Sequence, residues 1–312
     1  MSLTLGVDVG GTKILAGVVD DDGRILEQVR VTSPATDAGA ITAAIVGLVK
    51  DLTGRHQIEA VGVGAAGYID RGRSTVMFAP NIAWRDVNLR TPIEEASGLP
   101  VVIENDANAA AWGEFAFGAA AEVESSLMVT VGTGVGGGIV LDGALQRGAF
   151  GVAAEIGHLR VVPGGLICGC GNHGCLESYA SGSALVRYAR DAADAGHAPG
   201  LLERAGGSVK AITGPLVTEA AQAGDEAAIA AFAELGRWLG EGIASLVAVL
   251  DPDVIVLGGG VSEAGDLLLE PTRAAFRSQL TGRGHRPEAE LRLATLGNEA
   301  GLIGAADLAR HR

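Results

Sequence analysis

The sequence predicts an α/β fold of two similar lobes with a cleft between them. Two observations carry that expectation. Strand and helix patterns alternate along the 312 residues, which is the mark of a layered α/β protein. Each half also opens on two apolar strands joined by a glycine-rich turn: LGVDVGGTKILAGVVD near the start and SLMVTVGTGVGGGIVLD from Ser126. The two segments read as a diverged internal duplication, strand, Gly/Thr turn, strand.

Composition bounds the function. The chain is 48% hydrophobic and 19% charged, with only 4% aromatic residues, so its cores rest on Val, Leu, Ile and Ala. The net charge of −14 comes with no basic stripe, which excludes nucleic acid as a partner, because duplex binding needs Lys and Arg to displace phosphate counterions. The start, MSLTLGVDVGGTK, has neither a basic nor an apolar leader region, so no signal peptide is expected. No apolar run reaches the roughly 18 residues of a membrane span. A cytoplasmic protein without membrane contact is the expectation. All three cysteines lie within Cys168–Cys175, and an odd, clustered set points to a metal rather than to disulfides.

In chain order, residues 3–9, 14–20 and 25–32 read as strands, with Asp22-Gly23 as a hairpin turn. Asp37 is placed to cap a helix running to about Thr53, with Gly54 as its stop. Residues 58–64 and 100–104 follow as strands, and an Ala-rich helix covers about 107–115. Residues 126–131 and 137–142 form the second hairpin. A long helical region spans about 216–250, with Ile229, Phe232, Leu235, Leu239, Ile243, Leu246 and Leu250 on one buried face. Residues 253–257 make a strand and 299–311 a closing helix.

The turn Asp8-Val9-Gly10-Gly11-Thr12-Lys13 suits an anion. Two glycines let the backbone present N–H groups, Thr12 adds a hydroxyl, Lys13 a cation, and Asp8 can hold a metal-bound water near phosphate. The run from Gly132 to Gly138 contains G-x-G-x-x-G, including Thr133 and Gly134. A dinucleotide fingerprint must open a helix, whereas IVLD after it reads as a strand, so this is a second phosphate clamp. Gly258-Gly259-Gly260 follows a buried strand and suits close approach to adenine and ribose, or a plain turn. These parts resemble the actin, Hsp70 and sugar-kinase superfamily (ribonuclease H-like). The resemblance implies duplicated lobes that hold a nucleotide between the two hairpins.

Cys168, Cys170 and Cys175, spaced C-x-C-x₄-C with glycine spacers, match a tetrahedral Cys₃His zinc site. The residues alone leave His158 and His173 both open as the fourth ligand. The stretch from E-I-G-H through C-G-C-G-N-H-G-C-L-E is similar to the signature of the ROK family. DVGGTK, ENDAN, GTGVGGG and GGGV stand in the family's order, so the resemblance spans the whole chain.

The ROK resemblance implies much more. It selects His158 over His173 as the zinc ligand and makes the zinc structural. It makes Asp106 the catalytic base and puts Asn105, Asp106, Glu155, His158 and Glu177 on the sugar, with Gly67 allowing close backbone approach; many members have Pro where this chain has Ala66. ATP with Mg²⁺ is expected at Asp8, Gly10, Gly11, Thr12, Lys13, Thr133, Gly134, Gly259 and Gly260. The implied activity is ATP-dependent phosphorylation of a hexose at its 6-hydroxyl. Glucose is the first expected substrate. Fructose, N-acetylmannosamine, allose and a polyphosphate-using glucomannokinase activity are the alternatives. The family's repressors carry an added helix-turn-helix, for which a first strand at about Leu3 leaves no room. The expected division is a small lobe of residues 1–109, with a closing helix 298–312 packed back on it, and a large lobe of 110–297. The larger lobe carries the zinc knot, sugar-binding and oligomerisation elements, and the assembly is a homodimer or homotetramer.

Overall fold

The computed structural model describes residues 2–80 and 82–311. Three strands open the chain: β1 (Leu3–Val9), β2 (Lys13–Val19) and β3 (Ile25–Thr32). Helix α1 (Ala38–Arg55) leads to β4 (Ile58–Ala65). Strands β5 (Tyr68–Ile69), β6 (Thr75–Phe78) and β7 (Arg85–Asn88) form a small antiparallel sheet of their own. Helix α2 (Arg90–Ser97), β8 (Val101–Asn105) and α3 (Asp106–Phe117) follow.

The next hairpin is β9 (Ser126–Val131) and β10 (Val135–Leu141), with β11 (Ala144–Leu145) at its edge. A 3₁₀ turn at Ile156–His158 precedes α4 (Glu177–Ala180), α5 (Gly182–Asp194), α6 (Pro199–Arg204), α7 (Gly214–Gln222) and α8 (Glu226–Leu250). Strand β12 (Val254–Gly258), a 3₁₀ turn at Gly260–Ala264, α9 (Asp266–Gln279), β13 (Glu290–Leu293) and α10 (Ala300–Arg310) end it. The last residue of the expected closing helix, Arg312, lies outside the described residues.

The two five-stranded sheets have orders β3-β2-β1-β4-β8 and β11-β10-β9-β12-β13. Both are the same topology, third strand, second, first, fourth, fifth, so the duplication read from the hairpins extends to whole sheets. Contacts divide the chain into two compact units. One comprises Met1–Leu127, Gly138–Ala154 and Thr295–Arg312, the other Met128–Gly137 and Glu155–Ala294.

In the first unit, β1 pairs antiparallel with β2 and parallel with β4, which pairs parallel with β8. Strands β1, β2 and β4 are buried almost throughout, whereas the edge strand β3 alternates between part-buried and exposed residues. That contrast is what central and edge positions of one sheet demand. Helix α1 covers one face with Ile41, Ile45, Leu48, Val49 and Leu52. Helix α10 covers the other face and also crosses α3.

The α10 crossings are closer than ordinary side-chain packing. A Cβ at Gly62 would stand 1.8 Å from the Ala305 carbonyl oxygen, and one at Gly304 would stand 1.8 Å from that of Ala109. Buried Glu114 of α3 accepts from the amides of Ala119 (2.8 Å), Thr295 (3.1 Å) and Leu296 (2.8 Å), tying the end of α3 to the segment that enters α10. In the second unit α8 packs on α9, where Gly240 lies against the backbone of Thr272. Phe232, Leu235, Leu239, Ile243 and Phe276 are buried there, each worth about 1.5–3 kcal/mol of apolar transfer.

Three expectations need correction. Gly54 does not stop α1, which continues to Arg55 and is closed by His56 donating its amide to Leu52. The region 216–250 is two helices, broken where Gly224 takes φ +86°. Ile229 is 40% exposed. It lies in the first turns of α8, where Ala228 and Ala231 are the buried residues; Leu246 and Leu250 are only partly buried.

Gly304→Ala is expected to cost about 1–3 kcal/mol, the usual penalty for overpacking. The cost would appear as a lower midpoint of urea unfolding. An unchanged midpoint would mean that α10 does not cross α3 this closely.

Candidate active site

In the first unit the site residues gather at the carboxyl ends of parallel strands, where open α/β sheets bind ligands. Asp8 of β1 pairs in register with Gly64 of β4, which pairs with Glu104 of β8. One residue on, Val9, Ala65 and Asn105 stand side by side, and Asp106 begins α3. The β1–β2 turn is closed by the Gly10 amide donating to the Lys13 carbonyl (3.0 Å). Thr12 at its tip is exposed, and its carbonyl accepts from the Ser33 amide.

Asn105 caps α3. Its Oδ1 accepts from the Asn108 amide at 3.0 Å and its Nδ2 donates to the Gly67 carbonyl at 3.1 Å. One side chain therefore both caps the helix and ties Asn105 to Gly67. Asp106 follows with Oδ1 accepting from the Ala107 amide at 2.9 Å. The helix N-terminus thus both aims and stabilises this carboxylate.

Sequence reasoning missed the support beneath these two residues. Glu104 is 1% exposed. Its Oε2 is paired with Arg73 Nη2 at 2.9 Å and Arg147 Nε at 2.7 Å, while Oε1 accepts from the Asn105 amide at 2.9 Å and from Asn108 Nδ2 at 3.2 Å. Arg147 also donates to the carbonyls of Asp70 and Arg71. A lone carboxylate in the apolar strand VVIEN was the available signal, because a buried charge must find a partner. The two arginines come from loops and gave no signal.

In the second unit, the β9–β10 turn is closed by the Gly132 amide on the Gly134 carbonyl (3.0 Å). Strand β10, not a helix, follows it. The Gly132 carbonyl accepts from the Gly182 amide (2.8 Å) and that of Thr133 from Ser183 Oγ (2.8 Å). With those carbonyls held from behind, Thr133 stands exposed at the tip of the turn. Gly259, at φ +84°, packs on the Val131 backbone, where a Cβ would come within 2.6 Å. Gly260 begins the 3₁₀ turn that leads toward α9.

His158, Cys168, Cys170 and Cys175 present their ligand atoms within 4.8 Å of one another. His173 is not among them; its backbone pairs with that of Ile167 in an isolated antiparallel bridge. The fit to a metal can be tested on edge lengths. Tetrahedral zinc with bonds of about 2.3 Å to sulfur and about 2.0–2.1 Å to nitrogen implies S···S edges of about 3.8 Å and S···N edges of about 3.6 Å. Cys170 and Cys175 sulfurs stand 3.7 Å apart, and Cys168 Sγ stands 3.6 Å from His158 Nδ1. Burial pushes the Cys168 thiol up and that of Cys175 up to about 12, while the Asn172 amide pulls exposed Cys170 down. A coordinated cation reverses such reluctance to ionise, since bound thiols are deprotonated outright. The donor set fits zinc.

Around the knot, His158 turns Nδ1 to the sulfurs and Nε2 toward Glu155, 3.8 Å from its Oε2. Glu177 accepts from the Val135 amide at 3.0 Å through Oε2, and its Oε1 is 3.6 Å from Cys168 Sγ.

Asp8 and Asp106 are close enough to repel. Burial, then the Asp106 charge, raise the Asp8 pKa from 3.8 to about 6, against a smaller lowering by Lys13. Burial likewise raises that of Asp106, opposed by the Ala107 amide. Because folded Asp8 holds its proton more tightly than the unfolded chain does, its contribution to stability is complete below about pH 4 and is lost as pH rises through about 6. Asp8→Asn should therefore melt above the parent protein at about pH 8 in buffer without nucleotide or divalent ions, and the gap should shrink on acidification toward pH 4. A variant that melts lower at pH 8 would contradict this electrostatic account.

Comparison with known proteins gives a consistent picture. The ROK family model matches residues 4–312. A glucokinase of Streptomyces coelicolor is 52% identical over 312 residues, covering 99% of this chain and 98% of that protein. The crystal structure of a ROK family glucokinase from Streptomyces griseus in complex with glucose and AMPPNP aligns with a TM-score of 0.90 at 54% identity, covering all of both chains. A ROK hexokinase from Thermus thermophilus aligns with a TM-score of 0.80 at 40% identity over 99% of this chain and 98% of its own. With the duplicated sheets, the two glycine turns and the Cys₃His knot all in place, this chain belongs to the ROK family.

Proposed function

We propose that this protein is an ATP-dependent glucokinase, transferring the γ-phosphoryl group of ATP to the 6-hydroxyl of glucose. The observation that carries this reading is the full-length match to the Streptomyces griseus enzyme, whose structure holds glucose and AMPPNP. In this reading Asp106 is the general base. Its carboxylate is aimed by the α3 N-terminus and its pKa is raised by burial, which brings a carboxylate closer to the basicity that proton abstraction at neutral pH requires.

Asn105 keeps an Nδ2 proton beyond the one given to Gly67, so it is suited to donate to a sugar oxygen. Glu155, His158 and Glu177 take further hydroxyls, His158 through the ring nitrogen it does not turn to the sulfurs. Zinc, when bound by Cys168, Cys170, Cys175 and His158, fixes the ring of His158 and acts structurally. Mg²⁺ bound with the nucleotide would neutralise phosphate charge, and Asp8 is the carboxylate that would hold it near the phosphates. The ATP phosphates lie against residues 10–13 and 133–134, and Gly259 and Gly260 approach the adenosine. The 6-oxygen attacks the γ-phosphorus in line, ADP leaves, and the hydroxyl proton passes to Asp106. Positioning and charge neutralisation supply most of the acceleration.

No helix among the described residues is long and apolar enough to cross a membrane. The reading includes a cytoplasmic location and a homodimer or homotetramer.

A coupled assay of ADP release with glucose, fructose, N-acetylmannosamine and allose, each with ATP and with polyphosphate, is expected to give the highest kcat/KM for glucose with ATP. No glucose-dependent ADP release would overturn the reading. Asp106→Asn is expected to bind glucose but to lose roughly 10²–10⁴ in kcat, the usual contribution of a general base. A variant that keeps most of its turnover would remove Asp106 from that role.

A further inference from the structure

The Val135 peptide is held on both sides by neighbours of the metal knot. Its N–H donates to Glu177 Oε2 at 3.0 Å. Its carbonyl lies against Gly157, so closely that a Cβ there would stand 2.1 Å from the oxygen. Gly157 immediately precedes His158, and Glu177 follows Cys175 by two residues. Both supports are thus one or two residues from metal ligands on separate segments, and Glu177 reaches Cys168 Sγ as well, at 3.6 Å. A Cβ at Gly134, in the turn itself, would meet Glu177 Oε2 at 2.2 Å. The chain just beyond Glu177 takes the other side of the turn, through Gly182 on Gly132 and Ser183 on Thr133.

We propose that the Cys₃His knot positions the nucleotide as well as the sugar: metal held by its four ligands fixes the 132–135 turn through Glu177 and Gly157, so that metal and nucleotide binding are coupled without sugar. The inference rests on the reading above that zinc fills the knot and ATP phosphates meet Thr133 and Gly134. The physical basis is a short lever. Without the ion, three thiols and an imidazole have no common partner, and the segments bearing Gly157 and Glu177 are joined only by backbone pairing farther along, the Leu176 amide on the Leu159 carbonyl and the Val161 amide on that of Gly174, so the two walls of the Val135 peptide loosen. Glu177 is a positioning residue in this respect, acting on phosphate through the turn.

The test is calorimetric titration of AMPPNP with Mg²⁺ into sugar-free protein, metal-replete and chelator-depleted, with metal content measured by elemental analysis and folding followed by circular dichroism. Depletion is expected to weaken nucleotide binding by about 5–150-fold, the usual range of coupling between two sites, and reciprocity requires AMPPNP to strengthen metal retention against the chelator by the same factor. Two variants separate positioning from general damage in metal-replete protein. Glu177→Ala should retain metal and lose nucleotide affinity. Glu177→Gln, whose amide oxygen still accepts from Val135, should recover most of it.

Equal AMPPNP affinity with and without metal overturns the proposal while leaving the kinase reading intact, as does a Glu177→Ala variant that binds AMPPNP like the parent. If depletion unfolds the protein, the two variants decide alone. A replete protein that holds no metal, or that binds no AMPPNP at all, overturns the proposal together with the reading it rests on.

Discussion

Asp106 stands where it does because α10 lies almost backbone to backbone against the sheet and α3. Side chains at Gly62 or Gly304 would each fall inside the van der Waals radius of a carbonyl oxygen. Through these contacts α10 fixes the height of α3 over β4, and α3 carries the base at its first residue. The same helix reaches Asp8, whose carboxylate lies 3.4 Å from the Cβ that Gly301 lacks. Two carboxylates with raised pKa values are therefore set on one floor. Their mutual repulsion is borne by the packing below them, and the Glu104 pair with Arg73 and Arg147 locks the strand end from which Asn105 and Asp106 project. Breaking such a buried pair from one side would strand a charge, a cost of several kcal/mol.

The second unit solves a related problem with different chemistry. Its glycine turn has little side-chain mass with which to hold a shape. The shape comes from outside: Gly259 on Val131, Gly182 on Gly132, Ser183 on Thr133 and Glu177 on Val135. Low aromatic content suits this construction, because backbone-to-backbone contact needs small residues where the segments meet. The Cys₃His cluster stands beside one of these supports, Glu177, and beside Gly157, which lies against the Val135 carbonyl; on the proposal above, an ion held there would reach beyond the four side chains that bind it.

Much of this was legible in the sequence because the signals are local. Both hairpins announce themselves as apolar strands around glycine turns, and the Asp37 side chain does cap α1, accepting from the Ala40 amide. The cysteine spacing alone suffices to gather three sulfurs. Reading failed where a distant partner decides. Gly54 does not end α1, because one glycine costs a helix only about 1 kcal/mol and Leu52 is anchored in the core. Ile229 has the right spacing but stays 40% exposed. Arg73 and Arg147 meet Glu104 from positions 31 and 43 residues away, and only the folded chain brings them together. The family signature chose His158 over His173, a choice the spacing left open; in the folded chain it is His158 that stands beside the three sulfurs.

The most direct measurement is a crystal structure of this protein with glucose and AMPPNP bound. The account predicts an Asp106 carboxylate oxygen within about 2.6–3.2 Å of the glucose 6-oxygen, the reach a general base requires, with the imidazole of His158 on the same sugar and its Nδ1 on the metal. A bound glucose whose 6-oxygen faces some other group, with Asp106 pointing elsewhere, would contradict it.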